Sequence, residues 1–388
     1  MRYSGILLLL LLAGCQPQIP PPPPAAQPLA ETAPLRAATF ADLPHWQETT
    51  PAAAVDTFLN SCRAISKREG WETPCAEALF IPAGDEQAAR HFFETYFRPW
   101  QLINEDGSES GIITGYYVPE LKGSRTPDES YRYPLYRQPD DLLTIDLSSI
   151  YPELADYRLR GRLNGNKVIP YFDRGEIDGA QKPLAGNELL WVADPVELFF
   201  LHIQGSGRIL LPDGEKVMLS YANQNGHKYN SIGKLLLDRG IMTRNQMSMQ
   251  NIRRWVAANP EDGQKLLDEN PSYVFFRELE KGIVSPPGAL GIPLTAERSL
   301  AVDRRSTPLG APVFLATSWP NSNEPLNRLM VAQDTGGAIK GRVRADFFWG
   351  MGAEAGALAG RMKQQGRMWV LLPQTIDPLE SEGSSKVE

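Results

Sequence analysis

Residues 328–350 read RLMVAQDTGGAIKGRVRADFFWG and bring two carboxylates, two glycine turns and three consecutive rings into one short stretch. The apolar run 329–332 has the pattern of a buried strand. Asp334 follows it, and Gly336-Gly337 let the backbone turn and leave room for close approach. Asp346 stands beside Phe347, Phe348 and Trp349. A carboxyl group can handle a glycosidic oxygen, and rings stack on the apolar faces of sugars, so this stretch would suit a carbohydrate-cleaving site. The same residues also fit a plainer account, in which Asp334 bonds its own turn and the rings are core. The residues alone leave both open.

Two further stretches carry candidate groups. Ile112-Ile113-Thr114 reads as a strand that runs into Gly115-Tyr116-Tyr117 and ends at Pro119. It is either a packed strand end or a sugar platform at a groove edge. His202-Ile203-Gln204-Gly205-Ser206-Gly207-Arg208 supplies an amide and a hydroxyl that can bond sugar hydroxyls, or is a polar turn between two strands. Its Gly-x-Gly opens no helix and is followed by the hairpin turn Asp213-Gly214, unlike a nucleotide-binding loop.

The elements that must position these groups are mainly β. Helices are expected after Thr50-Pro51, with Val55, Phe58, Leu59 and Cys62 at helical spacing, and after Gly84, with Ala88, Phe92 and Tyr96 on one stripe. Residues 121–272 look like a separate unit of short strands at 131–136, 167–170, 189–192, 198–202, 209–211 and 216–219, a small barrel or sandwich. Helices follow at 232–239, 248–259 and 261–269, and then a strand at 272–278. Strands resume at 299–302, 313–316 and 368–372, with a helix at 353–362.

Totals narrow the chemistry. A chain of 388 residues suggests two domains, or one with a large insertion. The net charge of −7, with no basic run, argues against nucleic acid as a partner. The four histidines, His45, His91, His202 and His227, show no ligand spacing, the cysteines make no zinc pattern, and no metal or cofactor is expected. Cys62 and Cys75 flank a short segment and are a candidate disulfide in an exported protein. Met1 to Cys15 is one Arg followed by an apolar run too short to span a bilayer, which reads as a signal segment. The proline run Pro20 to Pro24 favours extended polyproline II and suits a tether.

Leu12-Ala13-Gly14-Cys15 resembles the lipobox of bacterial lipoproteins. The resemblance implies cleavage before Cys15 and lipidation there, and Gln16 favours the outer membrane, with the body facing the periplasm of a Gram-negative bacterium. Taken together, Thr114-Gly115-Tyr116-Tyr117-x-Pro119, His202-x-Gln204-Gly205-Ser206-Gly207, Asn270-Pro271-Ser272-Tyr273-Val274-Phe275-Phe276 and Asp334-x-Gly336-Gly337-Ala338-Ile339-Lys340-Gly341, with Asp346 behind, resemble the MltA family of membrane-bound lytic murein transglycosylases. The C-terminal part also resembles the three-aspartate module, here Asp303, Asp334 and Asp346.

What the resemblance implies is specific. A double-psi β-barrel catalytic domain is built from residues 38–120 and 282–375. A second β-barrel domain, residues 121–281, is inserted and binds substrate. Residues 1–15 are the signal, 16–37 the tether and 376–388 a disordered tail. Peptidoglycan glycan strands are the partner, besides the lipid anchor, with other cell-wall enzymes left open. The bond between N-acetylmuramic acid and N-acetylglucosamine is cut by the sugar's own C6 hydroxyl, so one carboxyl serves as acid and then base. By resemblance that residue is Asp346, its pKa raised by the rings beside it. Asp334 is the second catalytic candidate, Asp303 is structural, and Gly115, Tyr116, Gln204, Ser206 and Lys340 are substrate-binding candidates. Arg344-Ala345 stands where some relatives have His-Phe, which changes the surroundings of Asp346. Two rival readings remain: a two-carboxylate hydrolase using Glu354, Glu120 or Asp334 as partner, and an expansin-like protein that binds peptidoglycan without cutting it.

Overall fold

The computed structural model describes residues 35–154 and 157–381. The signal segment, Cys15, the proline run and residues 382–388 lie outside the described residues. The described chain is mainly β, with several helices, and no described helix is long and apolar enough to cross a membrane.

Six strands close into a hydrogen-bonded ring: Lys363–Pro373, Pro312–Ser318, Pro325–Asp334, Ser299–Val302, Ala345–Met351 and Gly111–Val118, the last pairing back onto the first. Phe97–Leu102 extends the ring from Lys363–Pro373, and Leu35–Ala37 extends it further. The ring is filled from both ends of the chain. Phe58, Phe93, Phe97 and Trp100 share one core with Phe314, Phe347 and Trp369.

The helix Ala52–Ile65 lays Val55, Phe58, Cys62 and Ile65 against this core, and Cys62 is bonded to Cys75 of the helix Glu72–Glu77. A buried amide fixes that helix to the ring. Gln333 is fully buried; its Nε2 donates to Thr57 O at 3.1 Å and to Ser61 Oγ at 2.8 Å, and its Oε1 accepts from Ser299 Oγ at 2.5 Å. Gln333→Leu fills the same space but strands these polar groups, so it is expected to cost about 2 kcal/mol. The melting temperature should fall by about 3 °C, read in a calorimeter.

Residues 120–278 form a second body. Its six-stranded sheet runs Val274–Glu278, Lys216–Gln224, Ser206–Leu210, Glu120–Ser124, Glu188–Val192, Tyr133–Tyr136, and an isolated bridge between Arg137 and Phe276 draws the two edges together. A three-stranded ribbon, Leu143–Thr144 with Arg160–Asn164 and Lys167–Pro170, stands beside it. Four helices, Pro195–Gln204, Ile232–Asp238, Met249–Ala258 and Pro260–Asp268, share an apolar core of their own.

Three expectations are corrected. Residues 198–202 are not a strand: they lie in the helix Pro195–Gln204. Asp194 caps it through Val196 N and Glu197 N, Pro195 opens it, and Gly205 closes it at φ 75. These flanking residues outweigh a short apolar run that fits either element. Residues 35–37 belong to the folded body rather than to the tether, because Leu35 packs on the core and the strand pairs with Phe97–Leu102. The expected tail at 376 starts with Ile376 packed against the core and a short helix, Pro378–Ser381.

Candidate functional site

Strand register places Asp346. Its strand runs parallel to Gly111–Val118, with Asp346 opposite Thr114, and antiparallel to Ser299–Val302, with Asp346 opposite Ala301. Opposed residues on neighbouring strands share a face, so the Thr114 hydroxyl reaches the carboxylate and donates to Asp346 Oδ1. Arg344 lies two residues earlier and so on the same side. Its Nη1 donates to Asp346 Oδ1 at 2.5 Å and its Nη2 to Thr114 Oγ1 at 2.9 Å. Both donors fall on Oδ1, and the Asp346 side chain keeps 20% of its surface exposed.

The other flank of Ala301 is Asp334. The two aspartates therefore sit in one row, two strands apart, with about 10 Å between their Cα atoms. Asp334 Oδ1 accepts from Ala289 N and from Thr335 N, both at 2.9 Å, so this carboxylate does order its own turn. Burial pushes its pKa up and the charge of Asp346 adds to this, while the two N–H bonds oppose it. Tyr116 is half-buried, its ring 5.0 Å from that of Phe348. Its hydroxyl is sealed from solvent and lies beside Asp334, with the charge of Asp346 also near. Burial, then the nearby charge of Asp334, holds the phenol well above its ordinary pKa, so it stays a neutral donor.

Asp303 has a different task. It accepts from Arg305 Nη2 at 2.6 Å, Arg305 Nε at 3.0 Å and Gly341 N at 2.9 Å, which ties down the turn carrying Lys340. The Arg305 guanidinium holds its carboxyl well below the usual range.

The remaining candidates are placed unevenly. A methyl group on Gly115 would meet the Trp349 indole nitrogen at 2.7 Å and Ala359 Cα at 2.8 Å, so this glycine serves packing. Gln204 Oε1 accepts from Tyr117 N at 3.2 Å, which joins the inserted body to the Thr114 strand. Ser206 pairs with Ser220 within the inserted sheet, and Lys340 is exposed on its turn. Phe347, Phe348 and Trp349 are buried and form core, not a sugar platform. The Asp346 strand is enclosed by ring partners on both edges and by the helix Gly352–Ala359, which leaves its rings no open face. His202 is also interior, stacked on Phe276, tilted against Tyr273 and accepting at Nδ1 from Arg174 Nη2 at 2.9 Å. The inserted body reaches across to the Asp334 turn, where a methyl group on Gly337 would lie 3.9 Å from Arg158 Nη1.

Thr114 and Arg344 as direct partners of Asp346 were not read from the sequence. The available signal was the i, i+2 spacing of Arg344 and Asp346 in a strand. Thr114→Val keeps the shape and removes one donor to Oδ1. It is expected to lower kcat about tenfold to a hundredfold with KM little changed, measured by initial rates on purified glycan strands.

Two family models cover the body: the MltA specific insert domain matches residues 112–277 and the 3D domain matches residues 298–372. Membrane-bound lytic murein transglycosylase A of Escherichia coli K12 is 32% identical over 353 residues, covering 89% of this chain and 84% of the relative. The protein of that name from Vibrio cholerae is 33% identical over 278 residues, covering 70% of this chain and 68% of the relative. Among solved structures, MltA from Neisseria gonorrhoeae superposes with a TM-score of 0.77 at 39% identity, covering 89% of this chain and 92% of that one. The lytic transglycosylase LtgG of Burkholderia pseudomallei gives 0.62 at 45%, covering 88% and 96%. Escherichia coli MltA with bound chitohexaose gives 0.65 at 30%, covering 84% and 90%. With both domain models in sequence order and relatives matched over most of their length, the chain belongs to the MltA family.

Proposed function

We propose that this chain is a lytic murein transglycosylase. It cuts the β-1,4 bond between N-acetylmuramic acid and N-acetylglucosamine in peptidoglycan and leaves 1,6-anhydromuramoyl ends. The observation that carries the reading is the Asp346 carboxylate, held by Thr114 and Arg344 through one oxygen only and partly open to solvent. The bound chitohexaose of the Escherichia coli relative supports a glycan-binding groove between the two bodies. In this reading the six-strand ring is a double-psi β-barrel assembled from residues 38–120 and 282–375, and residues 121–281 are the inserted substrate-binding barrel. The chain is anchored through lipid at Cys15 to the outer membrane and faces the periplasm.

The proton moves in a closed cycle. Asp346 enters protonated and gives its proton to the glycosidic oxygen as the bond to C1 breaks. Positive charge develops on the ring, and the carboxylate just formed stands beside it. The C6 hydroxyl of the same muramoyl residue then attacks C1, and Asp346 takes the hydroxyl proton. The C1–O bond to the leaving sugar is replaced by a C1–O6 bond, and no water enters. Thr114 and Arg344 occupy Oδ1, which leaves Oδ2 to carry the proton. Tyr116, fixed as a donor, and Asp334, beside it, complete the polar wall. Gln204, Ser206 and Lys340 hold the strand along the groove, and Gly115 admits Trp349 beneath it.

The test is mass spectrometry of products from purified glycan strands treated with the full chain. Products lighter than hydrolysis products by one water, with no reducible end, are expected. Products carrying that water would support the two-carboxylate hydrolase, and binding without new ends would support the expansin-like protein.

A further inference from the structure

The inserted body holds a cavity of about 250 Å³ that the cleavage chemistry does not use. It lies where the strands Tyr133–Tyr136 and Glu188–Val192 meet the helices Arg174–Asp178, Pro195–Gln204 and Pro260–Asp268. The helix Pro195–Gln204 relates it to the reaction centre. Pro195 and Leu198 line the cavity at one end, and Gln204 holds Tyr117 N at the other. Leu198, the nearer of the two, is six steps of 1.5 Å from Gln204, about 9 Å along the helix, so the two sites are distinct.

The lining is mixed in a particular way. Tyr136 and Trp191 supply aromatic wall, while Asp178 and Glu188 supply carboxylates. Arg132 and Lys182 are exposed cations that make no ion pair among the described residues. Lys182 is also held at φ 42, a left-handed conformation that non-glycine residues rarely take.

The floor is rigid and already satisfied. Arg174 is 2% exposed and donates to Asn270 O, Ser272 O and His202 Nδ1, so it is committed to the fold. Asp178 sits 3.8 Å from the Arg174 guanidinium, a long ion pair, and the Tyr273 hydroxyl is its other polar neighbour, which leaves room for a closer cationic donor. Burial raises its pKa to about 6, and a bound cation would oppose that shift.

We infer that this cavity binds a short zwitterionic peptide, its terminal ammonium against Asp178 and Glu188 and its terminal carboxylate against Arg132 and Lys182. The size agrees: the space equals roughly eight waters at about 30 Å³ each, which suits one or two amino-acid residues and not a sugar chain. Paired charges of both signs in one cavity favour a ligand that carries both, since either charge alone leaves one set of side chains facing its own sign. The aromatic walls accept small apolar side chains between the two charged ends.

The experiment is calorimetric titration of the full chain with alanyl-alanine, its N-acetylated form and its C-terminal amide. Binding of the free dipeptide is expected, with affinity reduced tenfold or more by either cap. Asp178→Asn should weaken the free dipeptide and the C-terminal amide alike, and Lys182→Gln the free dipeptide and the N-acetyl form. Glycan cleavage without peptide should be unchanged in both variants, and unchanged melting shows that they fold. Absence of dipeptide binding, equal binding of the capped forms, or full binding by both variants would overturn the inference.

Discussion

Asp346→Asn is expected to lower kcat on glycan strands by about four orders of magnitude, the upper end for loss of a group that acts as both acid and base. Fold and glycan affinity should be retained. Asn fits the same space, and its Oδ1 can still accept from Thr114 and Arg344, which fix Asp346 in the wild type. It has no proton to give to the leaving oxygen and cannot take one from the C6 hydroxyl. Both halves of the reaction fail together. Asp334→Asn should behave differently. Its side-chain oxygen can still accept from Ala289 N and Thr335 N, so the turn survives and only the nearby charge is lost. About a tenfold loss is expected there, comparable with removing one polar partner from a site. Equal, near-complete losses in the two variants would favour the two-carboxylate hydrolase.

Gly111→Ala is expected to be the most damaging small substitution in the ring. A methyl group on Gly111 would lie 1.7 Å from Val343 O and 2.8 Å from Val343 C. Both are backbone atoms, so no rotamer change relieves the clash and a strand must move. The Gly111 strand carries Thr114, and Val343 precedes Arg344, so the movement separates the two partners of Asp346. A stability loss of about 3 kcal/mol is expected from overpacking, read from the denaturant midpoint. Cleavage should fall further than the folded fraction accounts for. Gly366→Ala is the comparison: its methyl group meets first Ile113 Cγ1, at 2.6 Å, and the nearest of the backbone atoms it meets, Ala316 O, is at 3.2 Å. Its cost should be the smaller of the two.

The site was partly legible in the sequence because its chemistry sits on short strands whose ends are punctuated. Asp334 closes an apolar run at a glycine turn, and Asp346 begins one, so both positions stood out before any pairing was known. The row they form did not, because it depends on Ala301 lying opposite both, and register between distant strands leaves no local mark. The rings after Asp346 fitted either a platform or core. They are core because the ring and a covering helix enclose both faces of the strand, which a one-dimensional pattern of apolar residues cannot distinguish from an open groove. The helix Pro195–Gln204 was misread for a related reason: a five-residue apolar run fits either period, and the decisive residues were its flanking Asp194, Pro195 and Gly205. Gln333 gave no signal at all, since a buried amide that joins a helix to a strand far away in sequence has meaning only once both are packed.

The central claim is that the substrate's own C6 hydroxyl, and not water, replaces the broken bond. Cleavage of glycan strands by the full chain in heavy-oxygen water tests it most directly. The expected result is that new muramoyl ends carry no heavy oxygen at C1, because their second bond is to O6. Heavy oxygen at C1 of every new end would contradict the account, and would make Asp346 one member of a hydrolytic pair.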